Sequence, residues 1–534
     1  MEMDKTKLIL LIIVSALISG HAYGQVYSWR RYTMDGHRSS DVTSLSMTAI
    51  REAALIAECQ KKLAPLREVL GNCPEPMPKY HPESPHSNWL ADLMLEESAR
   101  LGGGVPCDVS LTNFGGIRVD MPVGDVMVDD IRGMLPFTNY IVIAEISGEK
   151  LWELFNEMAR TRFQVLGGVK IEAGREGVRS VEIGGQPLDK SRTYRMITNS
   201  FLLDGGDGIS IGKMAVRYDV LEEDFFQLTV EHLRRCREEG RPITGKADGR
   251  IKIDYSAPEK SKAKTPRRKL PLVPAPEPAK DYTLTILHTN DLHSHIEPIR
   301  GGRFDGLGGV VERAALVDSI RRAEGARNVL LLDAGDYDQG TSYFSTLGGK
   351  AEVEALNIMK YDVATVGNHE WDRGREDFYS RLRKARYKTV LCNYTTDDRG
   401  FSKSIKPYTI VRRGGRKIGI IGVLTDIEGV VTKECTEGLT YIRPDGPVNE
   451  IAAMLKEKKN CDLVIVLSHL GYAEGEENIG DVELAPLLKN VDIIIGGHSH
   501  TDLHEPSYVN DADGKPVMIV TDMCWGVYVG EIKL

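Results

Sequence analysis

Five short, unbroken apolar runs lie in the C-terminal half of this 534-residue chain, and each leads into a cluster of metal-ligand side chains. The runs are 283–287 (TLTIL), 329–332 (VLLL), 363–366 (VATV), 463–467 (LVIVL) and 491–495 (VDIII). Apolar runs of this length suit strands buried on both faces, and the helical stretches between them predict an α/β layered sheet. The runs lead into Asp291-Leu292-His293-Ser294-His295, Asp333-Ala334-Gly335-Asp336, Gly367-Asn368-His369-Glu370-Trp371-Asp372, Ser468-His469 and Gly496-Gly497-His498-Ser499-His500. Sites on open α/β sheets form at the carboxyl ends of strands, so these five ends are expected to share one pocket.

Carboxylate, imidazole and amide oxygen together suit Mn, Zn, Fe or Co ions. One carboxylate can bridge two such ions about 3.5–4 Å apart, a pair that clamps the attacking and leaving oxygens of a displacement at phosphorus. A lone Asp-x-His or His-x-His has a competing explanation as a solvated or structural pair. Five clusters in order, each after a buried-strand pattern, do not.

The first half reads differently. A helical pattern covers 41–70, a shorter one 87–100, and a strand at 138–147 leads into the helical GEKLWELFNEMAR, an α+β arrangement. Between the halves, 255–281 carries six prolines and seven Lys or Arg, a composition that packs no core and predicts an extended linker. At the start, Lys5 and Lys7 precede an apolar run at 8–18 and then Ala22-Tyr23-Gly24. That pattern predicts a signal peptide over 1–24, hence export to a periplasmic or extracellular space. The run falls short of the ~20 residues that a membrane-spanning helix needs. The eight cysteines show no metal spacing, and both disulfides and free thiols fit them. The formal charge of -9 argues against a nucleic acid polymer as partner.

The series DLHSH, DAGD, GNHEWD, SH and GGHSH resembles the calcineurin-like metallophosphoesterases. With Asn113-Phe114-Gly115-Gly116-Ile117-Arg118, Pro136-Phe137 and Phe201-Leu202-Leu203-Asp204-Gly205-Gly206-Asp207-Gly208 in the first half, the chain resembles the 5′-nucleotidase family. The resemblance covers about 80–254 and 282–534. Beside the signal peptide at 1–24 and the linker at 255–281, it implies a substrate-binding domain over 25–254 and a phosphoesterase domain over 282–534, the last a layered β-sandwich flanked by helices. By position, Asp291, His293, Asp336 and His500 match one metal site, and Asp336, Asn368, His469 and His498 the other. His369 matches the catalytic histidine, with Asp372 orienting it; His295, Glu370 and Asp333 are expected to pack around the site.

In the first half, Asn113 and the glycines would let backbone approach a nucleotide, Arg118 offers a planar fork to phosphate, and Asp207 can accept from ribose hydroxyls. Phe137 and Phe201 read either as a clamp on the base or as core. Two features depart from the family. The domain order is reversed, and His81-Pro82-Glu83-Ser84 stands where an arginine usually precedes the first substrate-domain helix. The resemblance implies hydrolysis of a nucleoside 5′-monophosphate with two divalent ions. Nucleotide-sugar or 2′,3′-cyclic nucleotide hydrolysis is the enzymatic alternative, and a non-catalytic nucleotide-binding module the alternative of another class.

Overall fold

A computed structural model describes residues 27–35, 46–174, 176–254, 270–274, 282–475 and 478–534. The predicted signal peptide, 1–24, and most of the linker lie outside the described residues. Among the described residues, no helix is long and apolar enough to cross a membrane. All eight cysteines are free.

The five apolar runs are strands, at Thr285–Thr289, Val329–Asp333, Val363–Thr365, Leu463–His469 and Ile493–Gly496. They do not share one sheet. The first three belong to a six-stranded sheet ordered Ser28–Thr33, Tyr528–Lys533, Thr285–Thr289, Val329–Asp333, Val363–Thr365, Lys388–Val390. The other two lie in a second sheet of six, ordered Tyr408–Arg413, Arg416–Leu424, Leu463–His469, Ile493–Gly496, Pro516–Val520, Ser507–Asn510. Ile286, Leu330, Leu332 and Val363 of the first sheet share a core with Ile420, Ile465, Leu467 and Ile495 of the second. Helices Val310–Glu324 and Lys350–Met359 cover the outer face of the first sheet, and Asp445–Ala453 that of the second. This is the expected layered sandwich. Both faces of each of the five apolar strands are buried, which explains their lack of polar alternation.

The substrate half is α+β. A five-stranded sheet runs Arg217–Asp224, Tyr140–Ser147, Thr193–Asn199, Val109–Thr112, Val165–Gly167, and a four-stranded one is built around Val169–Gly174 and Gly177–Ile183. Ser84 caps helix Pro85–Leu101 by accepting from Ser87 N–H, and helix Gly148–Arg160 spans the predicted segment.

The boundary expected at residue 25 needs correction. Strand Ser28–Thr33 and helix Met47–Leu63 precede the substrate half in sequence, yet both pack on the phosphoesterase half. The reason is apolar: Met34, Ala49, Cys59 and Leu63 enter the same core as Ala314, Val317 and Leu356. A 3₁₀ turn, Ala64–Arg67, then leads into the substrate half at strand Val69–Cys73. Part of the linker is also seated. Val273 N–H donates to Tyr508 O at 2.7 Å, beside a bridge from Leu272 to Val509.

Candidate active site

The carboxyl ends of the five strands meet at one place, fed from both sheets. His293 Nε2 lies 2.8 Å from His500 Nε2 and 3.9 Å from Asp291 Oδ1, and His500 Nε2 is 3.4 Å from the same oxygen. His469 Nε2 lies 3.1 Å from Asp336 Oδ2, and His498 Nδ1 lies 2.9 Å from Asn368 Oδ1. Asp336 stands between the groups, 3.8 Å from His293. Three sets of three therefore present ligand atoms to a common centre: Asp291, His293 and His500; Asp336, His469 and His498; and, between them, His293, Asp336 and His369.

The backbone is bent to achieve this. Asp291, His293, Asp336, His498 and His500 have φ between 45° and 74°, a region costly for non-glycine residues and concentrated at functional sites. Two glycines make room. A side chain at Gly367 would collide with the Asp336 carboxylate, and one at Gly497 would come within 2.8 Å of Asp291 Oδ2.

Surrounding groups fix the ligand orientations. Ala334 O takes His469 Nδ1–H at 2.7 Å and Gln339 O takes His293 Nδ1–H at 2.9 Å, which turns both Nε2 atoms toward the centre. Buried His469 Nε2 faces the Asp336 and Asp291 carboxylates, at 3.1 and 3.8 Å, a setting that fits an ion ligand. Electrostatics agree. Burial opposes charge on His469, but Asp336 and Asp291 hold its pKa up at about 10, so the two acids call for a cation. Burial would raise Asp336, yet His469, His369 and His293 hold it well below the ordinary carboxylate range. Burial pushes His498 down to about 4, leaving it a neutral donor.

His369 Nδ1 lies 2.8 Å from Asp372 Oδ2, as expected of an oriented histidine. Its ring meets that of His293 edge-on, with centroids 5.3 Å apart. The residues expected to pack around the site do so. Glu370 accepts backbone N–H groups from Asp336, Asp338 and Gly367, at 3.0, 3.1 and 2.5 Å. Asp333 accepts from Thr289 Oγ1 and Gly335 N, and His295 stacks on Trp525.

The substrate half reaches this centre directly. Arg118 Nη2 lies 3.3 Å from His293 Nε2, and the Phe137 ring stacks on His369 with centroids 5.7 Å apart. Phe137 thus meets the histidine itself, a contact its sequence context did not suggest. Asn113 Nδ2 donates to Asp207 Oδ2 at 2.9 Å, tying two of the motifs together, and Asn113 and Phe137 line one small cavity of about 10 Å³. Phe201 sits apart, half-buried against Gly206 and the core of its own half.

Sequence reasoning missed three contributors. Asn290 Nδ2 donates to Asp291 Oδ2 at 2.7 Å; its place beside Asp291 was the available signal. Arg31 Nη1 donates to Asp502 Oδ1 at 2.5 Å and to Leu503 O at 2.9 Å, pinning the loop that follows His500. Nothing local to Arg31 announces that role. Lys79 donates to Ile117 O next to Arg118, and burial, then Arg118, pushes its pKa down to about 8.

A fold with this centre is a metallophosphoesterase. Residues 284–502 match the calcineurin-like phosphoesterase family, and 69–214 match the 5′-nucleotidase C-terminal domain. The chain belongs to the 5′-nucleotidase family, with its two domains in reversed order. It is 31% identical over 287 residues to snake venom 5′-nucleotidase of Crotalus adamanteus, covering 48% of this chain and 46% of that protein. The Bos taurus 5′-nucleotidase is 31% identical over 286 residues, 48% of this chain and 47% of its own length. The trifunctional nucleotide phosphoesterase protein YfkN of Bacillus subtilis is 22% identical over 549 residues, 84% of this chain and 36% of that one. The 5′-nucleotidase precursor of Thermus thermophilus aligns with TM-score 0.42 and 34% identity, over 46% of this chain and 50% of its own. The chain spans about half the length of the first curated relatives it matches. The family uses divalent metals, and the His and Asp groups of this chain are candidates to bind them.

Proposed function

We propose that this protein is an exported phosphoric monoester hydrolase that cleaves nucleoside 5′-monophosphates to nucleoside and phosphate. The observation that carries the reading is the meeting of His369, Arg118 and the Asp/His groups at one point, contributed by both halves of the chain. Two divalent ions would be held by Asp291, His293, Asp336 and His500, and by Asp336, Asn368, His469 and His498. When bound, such ions supply Lewis-acid polarisation of the phosphoryl oxygens and an activated water.

The chain's own residues do the rest. Asp372 accepts the Nδ1 proton of His369, which leaves Nε2 to protonate the leaving oxygen or to hydrogen-bond the phosphoryl group as charge develops. Arg118 presents its guanidinium to the phosphate from the opposite half. Asn113 and Asp207 hold the nucleoside, the Asn113–Asp207 hydrogen bond pre-setting Asp207 for the ribose, and Phe137 braces His369. A panel of AMP, other 5′-nucleotides, nucleotide-sugars and 2′,3′-cyclic nucleotides, with Mn²⁺ present, tests the reading. The highest kcat/KM is expected on a 5′-monophosphate. A preference for a cyclic or sugar nucleotide would reassign the substrate, and binding without turnover of any of them would make the protein a nucleotide-binding module.

A further inference from the structure

The segment ahead of the substrate half is built into the phosphoesterase half. Strand Ser28–Thr33 pairs with Tyr528–Lys533 in an unbroken antiparallel register, Ser28 opposite Lys533 through Thr33 opposite Tyr528. Met34 continues it, donating to Val527 O and accepting from Gly308 N, at 2.8 and 2.9 Å. Helix Met47–Leu63 sets Ala49, Cys59 and Leu63 into the core under Val310–Glu324, with Leu55 and Ile56 packed against it. Polar groups lock the seat. Arg30 Nε meets Glu531 Oε1 at 2.5 Å, Ser46 Oγ donates to Asp318 Oδ2 at 2.6 Å, and the Arg31 guanidinium lies over the Tyr528 ring at 3.8 Å.

The other contacts between the halves are local, and one of them is the stacking of Phe137 on His369. Arg118 meets His293, and Arg300 donates to Asp125 O at 2.7 Å and pairs with Asp130 at 3.3 Å. Exposed ion pairs contribute little, whereas buried aliphatic surface and a strand added to a sheet edge contribute much. Without its outer strand, Tyr528–Lys533 would be an exposed edge.

We propose that residues 28–63 are a clip. The edge of strand Tyr528–Lys533 and helix Val310–Glu324 form a docking surface whose partner is the strand–helix arm of the substrate half, and this docking fastens the two halves without the 255–281 linker. The linker is then dispensable for keeping the halves together, and the short passage at 64–68 is the covalent joint that matters. The claim does not rest on the reaction assigned above.

The test uses the full-length protein with a protease recognition sequence placed between 258 and 268, cut after folding. Sedimentation in native buffer, from micromolar down to about 10 nM, reads whether the pieces part. Wild-type pieces are expected to travel as one particle of the intact chain's mass. The same is expected for Arg300→Glu, which weakens the contacts near the site. Leu55→Asp with Ile56→Asp on the arm helix is expected to raise the dissociation constant about 100-fold or more, as loss of two packed aliphatic side chains implies. Separation of the wild-type pieces at micromolar concentration would overturn the proposal. So would separation by Arg300→Glu, or undiminished association of a folded arm variant. If the arm variant does not fold, the wild-type and Arg300→Glu results decide alone.

Discussion

His369 is held by Asp372 and touched by Phe137, and although it stands within reach of His293 and Asp336 it is assigned to neither ion. His369→Ala is therefore expected to keep its metal content while kcat falls by about 10²–10⁴, the weight of a positioned acid–base group. Elemental analysis beside turnover checks this, and near-normal kcat would reassign the residue. Phe137→Ala is expected to lower turnover on both AMP and a small aryl phosphate, because the ring supports the histidine. A loss confined to AMP would make Phe137 a base clamp instead. Glu52 tests the arm's packing through pH. Burial pushes its pKa from about 4.5 to about 9, with Arg313 opposing. Between those values the folded protein keeps a proton that the unfolded chain has released, so this group's contribution worsens as pH rises through that window. Glu52→Gln should raise the melting temperature relative to wild type at pH 8 and leave it nearly unchanged at pH 4. Equal curves at both pH values would place Glu52 outside the buried interface.

At the scale of elements, the strands that carry the site were legible because strands buried on both faces write themselves as continuous apolar runs. Their assignment to two sheets was not legible: Leu332 and Leu467 enter one core from different sheets, and neither run encodes its partner. The strand pairing of Ser28–Thr33 with Tyr528–Lys533 was hidden for the same reason, since it joins residues some 500 positions apart. The ligand clusters were readable from residue type and order. The left-handed backbone at His498 and His500, and the contact of Phe137 with His369, follow from tertiary closure and leave no local signal. Glu370 links these loops. Its carboxylate gathers three backbone N–H groups from the segments bearing Asp336 and Asn368. Glu370→Ala leaves those groups without an acceptor, each costing about 1–3 kcal/mol if buried. A loss on the order of 3 kcal/mol in unfolding free energy is expected, together with weaker metal binding by calorimetry. Unchanged metal affinity would confine Glu370 to a packing role.

In the whole molecule, reversed domain order and a shared centre are reconciled by the arm. The phosphoesterase half borrows its outer strand from the chain's start, and the substrate half is hung from it so that Arg118 meets His293. Sequence order alone suggested two bodies joined by a long tether, and the structure adds a second, shorter connection at 64–68. The proposed chemistry depends on Asp336, the carboxylate proposed to serve both ions, which lies 3.8 Å from His293 and 3.1 Å from His469. Counting metal per chain by elemental analysis, in wild type and Asp336→Ala, alongside AMP hydrolysis, tests this most directly. The account predicts two divalent ions in wild type, activity lost on chelation and restored by Mn²⁺, Co²⁺ or Zn²⁺, and loss of both ions and of hydrolysis in Asp336→Ala. Two ions retained in that variant, or hydrolysis indifferent to chelation, would contradict it.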